Sequence, residues 1–248
     1  MFDHCSSLQK APDLPATTLG SYCYYYIFTY CTGMTTPMET LPAMTLQTYC
    51  YCYMFDHCEN LLSAPYLPAT TMKSHCYERM FDSCDKLVNV QETLPAMNLA
   101  ESCYNNMFNE CHSLVTAPYL PATTLASSCY FEMFDDNHSL KNVQETLPAT
   151  SLAYQCYQSM YGGCWALERA PELPASYPSN YSYCYRYMFY MCTSLNYIKV
   201  GMYSWPSTYQ IDNWMGHVPS GGTFVCRSGL SVRYGTEGVP SGWTVQRY

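Results

Sequence analysis

Residues 54–79 read MFDHCENLLSAPYLPATTMKSHCYER, and residues 80–106, MFDSCDKLVNVQETLPAMNLAESCYNN, begin the same pattern again. Outward from this pair, the Met or Ile that opens each copy falls at Met1, Ile27, Met54, Met80, Met107, Met133, Met160 and Met188. The intervals are 26, 27, 26, 27, 26, 27 and 28 residues. A fixed period of this size marks a solenoid, in which each unit buries its apolar side only against its neighbours. A lone unit cannot stand. Burying four or five apolar side chains gains about 1.5–3 kcal/mol each, while ordering roughly 26 residues costs about 1–2 kcal/mol apiece in backbone entropy.

Inside one unit, Leu61, Ala64 and Leu67 mark a short extended stretch closed by Pro68. Thr70-Thr71 suits a helix N-cap, and Met72, Cys76, Met80, Phe81 and Cys84 follow at intervals of four, four, one and three. That spacing predicts a short helix facing a core. The expected fold is therefore an α/β solenoid of about eight strand-turn-helix units of 26–27 residues. Odd units read Ala-Pro-x-Leu-Pro-Ala, as at Ala11, Ala64, Ala117 and Ala170. Most even units read Val-Gln-Glu-Thr-Leu-Pro-Ala, as at Val90 and Val143, with Pro37-Met38-Glu39-Thr40 as a variant. Alternating Pro12, Pro65, Pro118 and Pro171 with proline-free neighbours confines the missing ladder donors to every second unit. We assign residues 1–196 to the solenoid and 197–248 to a small β-rich C-terminal cap, marked by Trp205, Trp214, Phe224, Trp243 and the Gly221-Gly222 pair.

Charged residues make up 12% of the chain, aromatics 16%, and the net charge is −8. Without a basic stripe, nucleic acid is not expected as a partner. No apolar run approaches the roughly 20 residues of a membrane span, so no membrane insertion is expected. The sixteen cysteines follow the repeat, eight apart within a unit, as at Cys76 and Cys84. On a helix that is about 12 Å of rise, beyond disulfide reach within a unit; the favoured reading is buried free thiols used as small hydrophobes, the alternative being a bridged or metal-binding ladder. Asn137 stands where one cysteine is expected. Cys-x7-Cys without a recurring His does not match structural zinc, and no metal or cofactor is expected.

Cys111-His112-Ser113-Leu114 and Cys192-Thr193-Ser194-Leu195, with the recurring Leu-Pro-Ala-Thr-Thr, resemble the BspA-like leucine-rich repeats of bacterial surface proteins and phages, over residues 1 to about 200. The resemblance implies a leucine-rich-repeat-like solenoid serving adhesion or recognition, located outside the cell, at a cell surface or on a virion, and attached to a larger surface or virion assembly.

The chain carries its own comparison. Residues 54–106 and 107–159 align without gaps and differ at 22 positions, concentrated around Cys-Tyr and after Met-Phe. Drift on an exposed helix should yield Lys, Glu, Gln and Ala. Instead the variable positions hold Tyr22, Tyr25, Tyr26, Tyr30, Tyr49, Tyr53, His57, His75, Arg79, Asn105, Asn106, Phe131, Tyr154, Tyr183, Arg186, Tyr187 and Tyr190. Tyr, Asn and His with occasional Arg form the palette of a recognition surface, because rigid amphipathic rings give contact area at low entropy cost. These seventeen residues are the candidate ligand-binding set. A second candidate is an acidic and phenolic ribbon on the strand side, made of Asp13, Glu39, Glu92, Glu145 and Glu172 with Tyr66 and Tyr119. No catalytic constellation accompanies the histidines, and an enzyme is not expected. The sequence thus points to non-catalytic binding of a protein or glycan on a cell surface, the alternative being a structural or self-associating surface module.

Overall fold

The computed structural model describes residues 2–174 and 183–248; Met1, which opens the first copy, lies outside them. Successive coils stack in parallel, and each coil has two walls.

The first wall overturns the expected helix. Residues 102–110 illustrate it. The N–H groups of Ser102, Tyr104, Asn106, Phe108 and Glu110 donate to carbonyls of the following coil, those of Ser127, Cys129, Phe131, Met133 and Asp135, at 2.8–3.1 Å. Those of Cys103, Asn105, Met107 and Asn109 reach back three residues, to Ala100, Ser102, Tyr104 and Asn106. Alternate amides therefore face the next coil and close successive tight turns, and none of these bonds is of the i to i−4 kind that defines an α-helix. We call this the turn wall. Every fourth residue lies in the left-handed region: Ser102, Asn106 and Glu110 here have φ of 51°, 53° and 53°. Two residues then point in and two out. Cys103-Tyr104 and Met107-Phe108 are buried, and Cys111 continues the inward pattern.

The physical reason lies in the period. A helix of 3.6 residues per turn rotates a strict four-residue repeat by about 40° at each step, so paired apolar doublets would spiral off one face. A ribbon of turns repeating every four residues keeps both members of each doublet inside. Across coils the doublets form columns. Tyr51, Tyr77, Tyr104, Tyr130, Tyr157 and Tyr185 stack at 5.7–6.1 Å between ring centroids. Phe28, Phe55, Phe81, Phe108, Phe134, Tyr161 and Phe189 stack at 5.4–5.8 Å. Offset ring pairs of this kind contribute about 0.5–1.5 kcal/mol each beyond the burial itself.

All sixteen cysteines are free, and fourteen of them are buried. One column does more than fill space. The thiols of Cys58, Cys84, Cys111, Cys164 and Cys192 donate to the carbonyls of Phe28, Phe55, Phe81, Phe134 and Tyr161 in the preceding coil, at 3.0–3.2 Å. Asn137 occupies the same rung, and its Nδ2 donates to Phe108 O at 2.9 Å. The asparagine is therefore a substitute donor, a compensation the sequence did not reveal.

The second wall is extended but hardly a sheet, and Thr70-Thr71 belongs to it instead of capping a helix. Its pairing consists of isolated parallel bridges such as Ser63↔Asn89, Thr93↔Tyr119 and Thr71↔Asn98. Where the proline-containing units interrupt the ladder, side chains replace backbone. Gln91 Oε1 accepts from Leu67 N at 2.6 Å, and Gln144 Oε1 accepts from Leu120 N at 2.7 Å. Gln144 Nε2 also donates to Thr146 O at 2.7 Å.

The ladder of the turn wall passes from Tyr183, Tyr187 and Phe189 to Tyr209, Asp212 and Trp214. After it the chain forms β1 (Tyr197–Lys199), a four-residue helix α1 (Thr208–Ile211), β2 (Thr223–Cys226) and β3 (Thr244–Arg247). The three strands make one parallel sheet in the order β1-β2-β3. Trp214 is fully buried and its indole N–H donates to Gly238 O at 2.9 Å. The Trp243 ring lies against Gly222, where a Cβ would sit 2.4 Å from it.

Candidate functional site

The outward residues of the turn wall form their own columns, and at the N-terminal end these are aromatic. Tyr22, Tyr49 and His75 stack at 4.9 and 4.4 Å. Tyr26 stacks on Tyr53 at 4.5 Å, and the Arg79 guanidinium lies 5.8 Å from the Tyr53 ring centre. His4, Tyr30 and His57 form a third column at 4.8 and 4.3 Å. Tyr25 stands among them, edge-on to Tyr22, Tyr26, Tyr49 and Tyr53. Seven of the candidate residues are thus one contiguous patch, with Tyr22 57% and Tyr25 37% exposed, and Tyr30 and His57 form a separate column four residues further along the chain. Burial, with the hydrogen bond and charge of neighbouring groups adding to it, raises the Tyr25 phenol, so it stays neutral and can donate.

A second cluster forms at the other end. Tyr154 meets Tyr183 edge-on at 6.0 Å, and Tyr187 meets Tyr190 at 5.2 Å. Arg186 lies over Tyr183 and Tyr187, at 5.2 and 4.7 Å from their ring centres, while its Nε donates to Asp212 at 3.1 Å.

The remaining candidates do not join either patch. Asn106 is buried, only 2% exposed, and its Nδ2 donates to Asn105 Oδ1 at 2.6 Å. Asn105 and Phe131 are half-buried. The expectation of an open surface fails at Asn106 because columns on the turn wall shield one another even where they point away from the core.

Between the two aromatic clusters the wall is acidic. Asp82, almost fully buried, accepts from Arg79 Nη1 and Asn109 Nδ2, both at 2.8 Å. Asp135 is pushed up to about 8, first by burial and then by the charges of Asp136, Glu132 and Glu110. Asp56 is pushed up to about 6, chiefly by burial, with His57 Nδ1 at 3.1 Å opposing the shift. Gly162 leaves room for Asp135, whose Oδ1 would lie 2.2 Å from a Cβ there.

On the extended wall the acidic and phenolic ribbon is exposed, with Tyr66 and Tyr119 at 55% and 46%. Its members adjoin across coils: Tyr66 N donates to Glu39 O, Tyr119 N to Glu92 O, and Glu172 N to Glu145 O. Beside the ribbon lies a groove of about 460 Å³, lined in part by Lys141, Glu145, Arg169, Glu172, Tyr197 and Lys199. Sequence reading missed it as a site. The available signal was the exchange of Val88 and Thr116 for Lys141 and Arg169, 53 residues on.

Among the described residues no helix is long and apolar enough to cross a membrane. No protein-family model and no curated protein matches the chain. Among solved structures, a leucine-rich repeat protein from Bacteroides ovatus is similar in fold, at 15% identity and a TM-score of 0.42, over 94% of this chain and 68% of its own.

Proposed function

We propose that this chain is a non-catalytic recognition module, displayed outside the cell or on a virion, that binds a protein or glycan through the N-terminal aromatic patch of its turn wall. One observation carries the reading. The first 53-residue block has six left-handed positions, His57, His75, Arg79, Ser83, Ser102 and Asn106, and all six differ from their counterparts Glu110, Ser128, Glu132, Asp136, Gln155 and Ser159. Over the same two blocks the inward Cys-Tyr and Met-Phe doublets are identical.

Left-handed backbone favours glycine, and a larger residue there costs about 1–2 kcal/mol. Selection for stability alone would place Gly or Asn at these positions. The chain places Gly at one of them, Gly163, and Tyr, His, Arg, Glu, Gln or Ser at most others. Ser83, Ser102, Asn106 and Ser159 are buried, but where these positions reach solvent, as at His57, His75, Arg79, Glu110 and Asp136, chemistry that varies at a cost in backbone energy fits a surface selected for contact. The resemblance to BspA-like surface repeats points the same way.

The test compares the parent chain with a Tyr22→Ser/Tyr25→Ser/Tyr53→Ser variant in binding to intact gut bacterial cells and to a glycan array, with circular dichroism confirming that both fold. We expect the parent to bind a target and the folded variant to lose at least tenfold in affinity. Equal binding by both would remove the turn wall as the contact. Binding by neither, with end-to-end association of the chain, would favour a structural module.

A further inference from the structure

We propose that the groove at the C-terminal end of the extended wall binds a hydroxylated carboxylate, an acidic sugar residue being the fitting class, with Arg169 as its anchor. This site lies on the opposite wall from the aromatic patch and does not depend on it.

The groove's cations are held in different ways. Lys199 is already held, its Nζ 3.0 Å from Glu172 Oε2. Arg169 is held differently: its guanidinium carbon sits over the Tyr197 ring, 3.7 Å from the centre. Contact with the ring face restrains the guanidinium but uses none of its five N–H donors. Among the described residues Arg169 makes no side-chain hydrogen bond and no ion pair, and it is exposed. Lys141 is likewise exposed and unpaired. The groove therefore presents an oriented fork and a second free ammonium on a chain whose net charge is −8. A planar fork with its donors free matches the two oxygens of a carboxylate.

The same groove supplies acceptors. Glu145 is exposed and unpaired among the described residues, so it can receive hydroxyl donors. A ligand combining one carboxylate with neighbouring hydroxyls satisfies both halves; a simple carboxylate or a neutral sugar satisfies one. The equivalent hollow one block earlier, about 210 Å³, has Val88 and Thr116 where this groove has Lys141 and Arg169. The site is thus peculiar to this end of the wall and is not a property of the repeat.

The experiment follows the Tyr197 ring resonance by NMR, assigned with a Tyr197→Phe variant, during titration of the full chain with sodium glucuronate, glucose or sodium acetate at low ionic strength. Glucuronate should give a saturable shift at least tenfold tighter than either control. Arg169→Gln should weaken glucuronate at least tenfold, and Lys141→Met, at an exposed side chain with no partner among the described residues, should weaken it a few-fold while leaving the fold untouched. The proposal is overturned if glucuronate gives no saturable shift, if glucose or acetate binds as tightly, or if Arg169→Gln leaves the affinity unchanged.

Discussion

The two walls of each coil satisfy the same backbone groups by opposite means. On the turn wall, a continuous file of amides bonds each coil to the next, and the strain of left-handed residues recurs every four positions. On the extended wall, contact is reduced to isolated bridges, and glutamine side chains complete what proline interrupts. The difference teaches where each wall can vary. Turn-wall backbone bonds need no particular outward side chain, so the outward columns are free to diversify. Extended-wall bonds depend on Gln91 and Gln144, and these residues match between the duplicated blocks.

The largest effect that would test this division is in the turn-wall core. Phe108→Ala opens a hole between Phe81 and Phe134 and should lower unfolding free energy by about 3–5 kcal/mol in urea titration. Tyr119→Ala, exposed on the other wall, should change it by less than about 0.5 kcal/mol. Comparable losses at the two sites would erase the distinction.

Gln91→Leu comes next. It removes the acceptor for Leu67 N and should destabilise by about 1–3 kcal/mol, whereas Glu92→Gln beside it should be nearly neutral. If both are neutral, the amide bridge is not what completes the extended wall.

Asp135 tests the turn wall's electrostatics. Its folded pKa, about 8, lies above the ordinary aspartate value of 3.8, so the folded state holds more protons between the two. Stability should therefore fall as pH rises from about 4 to about 8 and level off above. Asp135→Asn should flatten that part of the profile and raise the melting temperature at pH 8. An unchanged slope would assign the dependence elsewhere.

The smallest effect is the most specific. Ser102→Gly, at φ 51°, should stabilise by about 1 kcal/mol by relieving left-handed strain. The same exchange at Ser63 on the extended wall should not.

Much of this architecture was legible in advance, and the failures share a cause. Period, unit boundaries and inward residues followed from Met-Phe, Cys-Tyr and Leu-Pro-Ala, because burial constrains identity strongly. The helix was misread because Cys76, Met80 and Cys84 satisfy both a 3.6-residue and a four-residue period over so short a stretch. The strict recurrence of apolar doublets, Cys-Tyr then Met-Phe, was the signal for the latter. Of the candidate site, most residues from Tyr22 to Arg79 stand together because they share a register and stack in columns. Asn106 did not, since shielding by a neighbouring column is invisible in one coil's sequence. The groove around Arg169 escaped because it depends on a ring, Tyr197, from beyond the regular repeats.

The one-way hydrogen bonding of the turn wall has an electrical meaning. Each inter-coil amide there directs its N–H toward the following coil and its carbonyl toward the preceding one, while bonds on the extended wall run both ways, as Ala64 N to Asn89 O and Tyr66 N to Glu39 O illustrate. Peptide dipoles of about 3.5 D that cancel on one wall therefore add on the other, as they do along an α-helix. The solenoid is polar along its axis though it has almost no helix, with the positive pole toward its C-terminal coils. The two ends of the turn wall therefore present unlike partial charges to a charged partner.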